Sequence, residues 1–251
     1  MSVQSIPVEN LPFLYINGMI VSNDATTPNT KIDLSAGQCR DSNDVMDINL
    51  LTGVVIDTAV VGVNGLDQGT LTASKVYAVY AIGDSTNKKV PAGLISLASN
   101  SVPLMPFGYD SYRLVGYSVT DSSTHFLLAY ISGNNNARLF TYDAPQSALS
   151  GGTQTGYTGV ALTTLVAPVN NLPVRMYMNF TANAAADTAN LQGYTSTGDA
   201  VTVIAPVAGG TAHTTQSAQV LAQLNSAAPS IKYKVSAGSL ALSVQGFQFY
   251  I

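Results

Sequence analysis

The sequence predicts an all-β protein, an antiparallel β-sandwich of jelly-roll type built as one sandwich or as two sandwich subdomains. Three observations lead there. Short runs of alternating or β-branched residues recur along the whole chain at spacings of roughly ten residues, with turn signals between them. Thirteen of the fourteen acidic residues are Asp, with Glu9 the only Glu, and Asp favours turns where Glu favours helices. Asn-Gly pairs at 17–18 and 64–65 and a Pro-rich corner at 103–106 punctuate the runs in the way strand connections require. A length of 251 residues accommodates either sandwich arrangement.

Composition narrows the surface chemistry. The chain is 46% hydrophobic and only 10% charged, against about 25% charged in an average soluble domain. Ser, Thr, Asn, Gln and Gly must therefore carry solubility. Such a neutral surface costs little to bury against another subunit. The formal charge is −4, and Lys88-Lys89 is the only adjacent basic pair, so no nucleic-acid-binding patch is predicted. One cysteine, Cys39, excludes an intrachain disulfide framework and a multi-cysteine metal site. The first residues show neither a basic n-region nor an apolar core, so no secretory signal is expected, and no apolar run is long enough for a spanning helix.

In chain order, residues 1–12 read as a proline-marked N-terminal arm. Residues 13–142 form a β-rich region, 143–159 a Gly/Ser/Thr-rich crossover or linker, and 160–251 a second β half or domain. Phe13–Ile16 and Met19–Val21 are expected to pair as a small hairpin across Asn17-Gly18. Lys31–Leu34 is a strand. In the segment GQCRDSNDVMDINL, Asp41, Asp44 and Asp47 lie close enough to suggest a calcium loop. The EF-hand Gly and terminal Glu are missing, and the competing reading is an Asx-rich turn in which Arg40 pairs with an Asp. The glycine-dense stretch VVGVNGLDQG lacks the GKT/GKS ending of a phosphate-binding loop. Val76–Ile82 is apolar on both faces, which predicts a central strand covered on one side by a second sheet and on the other by a neighbouring subunit or a loop. Gly93–Ala98 and Tyr112–Val119 follow as strands, and Phe126–Tyr130 with Ala137–Tyr142 as a hairpin around SGNNN. Val160–Leu165, Val174–Thr181, Ala189–Tyr194, Ala200–Ile204, Ile231–Val235 and Leu240–Tyr250 continue the strand rhythm. Thr214–Leu224 reads either as a helical turn, with Ala218 and Leu221 on one side, or as a strand edge.

The segments "NLPFLYINGMIVSND", "IDLSAGQCRDSND", "VNGLDQG", "GLISLAS" and "PLMPFGYDSYRLVGYSVTDSS", spanning Leu11 to Phe126, resemble a stretch found in tail-fibre and other virion structural proteins of tailed bacteriophages. The resemblance is one of turns and corners. It implies a particle component, made in a bacterial host cytoplasm and residing in the virion, and supplies no catalytic residues.

No chemistry-bearing motif competes with that reading. His125 and His213 stand in no metal-ligand spacing, there is no GxSxG, and the aspartates lie beside Gly, Ser and Asn in turns. No catalytic residue, metal or cofactor is assigned, and the expectation is a non-enzyme. The lack of tryptophan weighs against a stacked sugar platform. Tyr109, Tyr112, Tyr117, Phe247, Phe249 and Tyr250 are the candidate interface aromatics. The expected partners are copies of the same chain, with a trimer favoured, and other virion proteins. A tail or fibre-like appendage is the first expectation, a capsid decoration protein the second, and a lectin-like module for a host-surface glycan the third.

Overall fold

The computed structural model describes residues 11–100, 102–133, 137–204, 212–225 and 228–251, with side chains for all of these except 203 and 212–216. Most of the expected N-terminal arm, the tip of the SGNNN loop and the His213 side chain lie outside the described residues. Among the described residues there are nineteen strands: β1 (Ile16–Gly18), β2 (Val21–Asn23), β3 (Lys31–Leu34), β4 (Gly37–Arg40), β5 (Asp47–Leu50), β6 (Val54–Asp57), β7 (Gly65–Leu66), β8 (Val76–Gly83), β9 (Ala92–Leu97) and β10 (Ser111–Val119). They continue as β11 (Ala129–Ser132), β12 (Ala137–Gly152), β13 (Thr158–Ala161), β14 (Leu172–Ala182), β15 (Thr188–Gly193), β16 (Val201–Ile204), β17 (Ala212–Asn225), β18 (Ala228–Val235) and β19 (Ser239–Tyr250). No helix occurs among the described residues, and so none long and apolar enough to cross a membrane. The all-β, antiparallel architecture expected from the sequence is the one observed.

The strands form three sheets. β1-β4-β5 make a small sheet, β10-β8-β9-β7 a second, and a large sheet runs β16-β15-β18-β17-β14-β19-β12-β11-β2-β3-β6 with β13 added on β18. Every pairing of named strands is antiparallel except β7 with β9. The second sheet packs on the β2-β11-β6 end of the large one, and two glycines permit the approach. A Cβ on Gly93 would lie 2.5 Å from Ile56, and one on Gly116 would lie 2.7 Å from Ile131 and 2.8 Å from Val21. All eight residues of β8 are buried by the chain itself. Tyr77 sets its edge against Phe126 and Tyr80 against Tyr112. A neighbouring subunit is thus not needed to cover this strand.

The expected hairpin across Asn17-Gly18 does not form. β1 pairs with β4, while β2 pairs with β3 and β11 in a different sheet. The positive φ values fall on Gly18 (68°) and Met19 (52°), one residue later than a type I′ turn at Asn17-Gly18 requires. The chain therefore changes sheets here instead of folding back. A Cβ on Gly18 would lie 2.4 Å from the Ala36 carbonyl oxygen, so the corner also depends on the missing side chain.

Arg138 holds that corner. It is 2% exposed, and no carboxylate pairs with it among the described residues. Its guanidinium donates instead to three backbone carbonyls: Met19 at 2.6 Å, Val115 at 2.8 Å and Gly18 at 2.7 Å. The Val115 carbonyl is available because β10 carries a register irregularity between Leu114 and Gly116. Burial pulls the Arg138 pKa down to about 10, which leaves it charged at neutral pH. One side chain from the large sheet thereby ties together the end of the small sheet and the bulge of the second.

The second half of the chain follows its predicted rhythm closely, with two differences. The segment read as a linker is strand as far as Gly152: β12 continues along β19 through three register shifts, the irregularities absorbing its Gly and Ser residues. The ambiguous 214–224 segment is strand throughout, paired with β14 from Leu172↔Ala222 to Ala182↔Ala212. Its buried Ala218, Val220 and Ala222 alternate with exposed Ser217, Gln219 and Leu221. Period two wins over the helical spacing because the β14 edge supplies backbone partners along the whole run.

Two outcomes follow. Arg138→Met removes the donors to two buried carbonyls and one half-buried one and is expected to cost about 3 kcal/mol or more in urea unfolding. Arg138→Lys, which keeps the charge but loses the planar fork, should recover only part of that. The Cys39 thiol is fully buried, and burial pushes its pKa up to about 12. It should resist an aromatic disulfide reagent at pH 8 in the native state and react promptly once the protein is unfolded.

Candidate functional site

The small sheet is built from two rows of side chains. On its inner face Ile16, Cys39 and Ile48 are directly opposite one another across β1, β4 and β5, all fully buried. Alternation places Asn17, Gln38 and Asn49 in the same register on the outer face. Side chains opposed in this way have Cβ atoms about 5 Å apart, so the outer face carries a row of three amides. Gln38 touches the Tyr15 hydroxyl at 3.5 Å. Asn17 and Asn49 have no protein hydrogen-bond partner for their side chains among the described residues, and both are exposed.

This row forms the floor of a cleft. A cavity of about 380 Å³ lies between β4-β5 and the loop from Asp84 to Pro91, lined by Gln38, Asn49, Met46, Leu51, Lys88, Lys89 and Val90 among others. A shallower depression of about 360 Å³ continues it across Asn17 and Gly37, sharing Gln38, Asn49 and Leu51. The two make one groove across the sheet.

The charges around the groove are sorted by hydrogen bonding. Asp84 organises the loop: its carboxylate accepts from the Thr86 N–H at 2.8 Å and hydroxyl at 2.7 Å, from Lys88 N–H at 2.9 Å and from Lys89 N–H at 3.0 Å. The Thr86 hydroxyl, then these backbone donors, hold the Asp84 pKa below the ordinary carboxylate value. The loop's anchoring is therefore present at neutral pH and is lost as pH falls through the lowered value. Asp47 pairs with Arg40 at 2.9 Å and accepts from the Leu11 N–H at 3.3 Å. Lys88 and Lys89 are exposed and lack a salt-bridge partner among the described residues.

The proposed calcium residues are not gathered into one site. Asp41 is buried and accepts from the Val45 and Met46 N–H groups at 2.7 and 2.9 Å, Asp44 accepts from the Leu14 N–H at 2.7 Å, and Asp47 faces Arg40. Arg40 also donates to the Asp44 carbonyl. Each carboxylate thus serves a separate partner, as in an Asx-rich turn. Among the described residues no group of three or more His, Cys, Asp or Glu is placed to hold a metal ion.

The interface aromatics divide. Tyr117, Phe247 and Phe249 are buried core residues: Tyr117 sets its edge against both phenylalanines, and Phe247 stacks on Phe140 with centroids 4.8 Å apart. The period-two pattern of β19 puts Phe247 and Phe249 on the buried face, with a local irregularity near Gly246, and so removes them from any surface. Tyr112 is half-buried against Tyr80, and Tyr109 is half-buried with its hydroxyl donating to the Val90 carbonyl at 2.8 Å. Only Tyr250, 68% exposed, is free to meet a partner.

A different apolar surface stands where the sequence reading placed a corner. Phe107 is 99% exposed and Leu104 and Val102 are exposed beside it. Pro106 reaches to 4.0 Å of the Cβ position of Gly62, so the loop that carries exposed Val60, Val61 and Val63 touches the one that carries Phe107. Tyr109 links this ridge to exposed Val90 at the groove's rim. Neither the amide row nor the ridge was read from sequence. The first needs the β1-β4-β5 register and the second a contact between segments some forty residues apart. A local signal did exist for the ridge in the consecutive apolar residues of VVGV and VPLMPF.

Comparison with known proteins adds little. No family model matches the chain, and no curated protein matches it. Among solved structures it is similar to a carbohydrate-binding module of Cellvibrio mixtus lichenase 5A in complex with cellotriose, at 12% identity and a TM-score of 0.23, covering 49% of this chain and 86% of that one. It is also similar to a structure of infectious bursal disease virus, Gx strain, at 15% identity and a TM-score of 0.24, covering 98% and 74%. The VP2 subviral particle of the same virus overlaps at 13% identity and a TM-score of 0.20, covering 97% and 73%. Superpositions this loose establish no common function, and the strands and sheets of the chain itself define it as an all-β protein.

Proposed function

We propose that the chain is a non-enzymatic structural component of a bacteriophage particle, in its tail or a fibre-like appendage, and that it works by symmetric assembly of identical copies. The observation that carries this reading is the ridge of Val60, Val61, Val63, Leu104 and Phe107, large apolar side chains left in water on two loops that touch where Pro106 meets Gly62 and Leu104 N–H meets Asp67. Exposed clusters of this kind mark contact surfaces. The surroundings favour the same use, because a chain with only 10% charged residues has few charges to desolvate when a neighbour covers it. The resemblance of the Leu11 to Phe126 segment to phage virion proteins supplies the particle. The ridge draws residues from that same segment.

Light scattering after size exclusion at micromolar concentration should give a mass that is a whole multiple of the 26.1 kDa chain, with three copies expected. Phe107→Asp should raise the dissociation constant about thirtyfold or more, the size of an interface hot spot, without changing the unfolding midpoint of the monomer. A wild-type protein that stays monomeric at that concentration would overturn the assembly reading.

A further inference from the structure

We propose that the groove across the outer face of β1-β4-β5 binds an acidic oligosaccharide. The site adjoins the apolar ridge through Val90 and Tyr109 but shares no residue with it, and the proposal does not rest on the assembly reading.

Three features of the groove select this ligand. The first is the amide row. Asn17, Gln38 and Asn49 each offer a carbonyl acceptor and two N–H donors, the pair of functions that a sugar hydroxyl, itself donor and acceptor, requires. Their spacing follows the strand separation of about 4.8 Å, close to the length of one sugar ring, so successive amides can address successive residues of an extended chain. Asn17 and Asn49 have no competing protein partner among the described residues.

The second is the apolar lining. Met46, Leu51 and Val90 border the floor, and Leu51 and Val90 are among the most exposed aliphatic side chains of the molecule. Aliphatic walls beside a polar floor suit the C–H faces of pyranose rings. No aromatic side chain is among the described residues lining the groove, so recognition here would rest on hydrogen bonds and charge.

The third is the electrostatics. Within a chain of net charge −4, the groove presents Lys88 and Lys89 without salt-bridge partners among the described residues. Of the acids that line it, Asp47 is paired with Arg40, while Asp84 keeps its charge although turned to its loop's N–H groups, so the lysines outnumber the uncompensated acids two to one. A neutral sugar would leave the two ammonium groups unused, whereas a carboxylate-bearing one places its charge beside them. The cavity of about 380 Å³ at this end is within the range of small-molecule sites.

The test is a nuclear magnetic resonance titration that follows the side-chain NH₂ signals of Asn17, Gln38 and Asn49 in the wild-type protein. The probes are an oligogalacturonide, a hyaluronan oligosaccharide and a sialylated trisaccharide, each beside an uncharged counterpart such as the methyl ester. At least one acidic probe should shift all three signals, and its uncharged counterpart should bind about tenfold more weakly at low salt. Asn49→Ala should weaken binding about fivefold. The Lys88→Ala/Lys89→Ala double variant should erase the preference for the acidic form. These are surface changes, and an unchanged thermal midpoint confirms the fold. No shift with any acidic probe, or equal binding of charged and uncharged forms, overturns the proposal. Neither result bears on the oligomeric mass.

Discussion

Of three buried arginines among the described residues, Arg40, Arg113 and Arg138, the last organises this molecule. The Arg138 guanidinium has lost its water, and no carboxylate replaces it. Leaving such a group bare would cost many kcal/mol, so the chain surrounds it with the carbonyls of Gly18, Met19 and Val115. Two of those carbonyls stand where regular pairing breaks: the chain leaves β1 for another sheet at Met19, and β10 bulges at Val115. The irregularities and the arginine require each other. Without the donors, two buried acceptors and one half-buried one would be orphaned; without the corner and the bulge, a buried charge would be.

The functional surfaces inherit that arrangement. Because the corner directs β1 onto β4 instead of back along β2, Ile16 joins Cys39 and Ile48 on the inner face and Asn17 joins Gln38 and Asn49 on the outer one. The core row and the amide row are two sides of one register. The packing of the second sheet against the large one, made close by Gly93 and Gly116, leaves the connections at 60–63 and 102–107 projecting as two loops that touch. Both faces of β8 are consumed internally, which is why it needs no partner.

How far the sequence revealed this varies with the range of the interaction. Strand positions were legible, since alternation is local: β8, β14, β15 and β19 fall within a few residues of their expected bounds. Failures arose where distant residues decide. Asn17-Gly18 carries hairpin chemistry, yet Arg138, more than a hundred residues away, claims the carbonyls of the corner. The Gly-rich run after Tyr142 looks like a linker until β19 is beside it. Phe247 and Phe249 invited an interface role through their aromatic character, while their alternation with Gln248 already pointed them to one face. A similar signal was present for Arg138, which shares parity with Phe140 and Tyr142 and so lies on the buried face of β12. The amide row had no local signature, because three residues from three strands become neighbours only through register.

In the assembly proposed above, the apolar ridge is the subunit contact and the groove over the small sheet stays open. Hydrogen–deuterium exchange measured across a concentration series addresses both halves at once. Peptides covering 60–63 and 102–109 should become protected as the protein associates, and peptides covering 37–40 and 47–51 should exchange equally at every concentration. Protection that appears over the small sheet and leaves the ridge unchanged would contradict it.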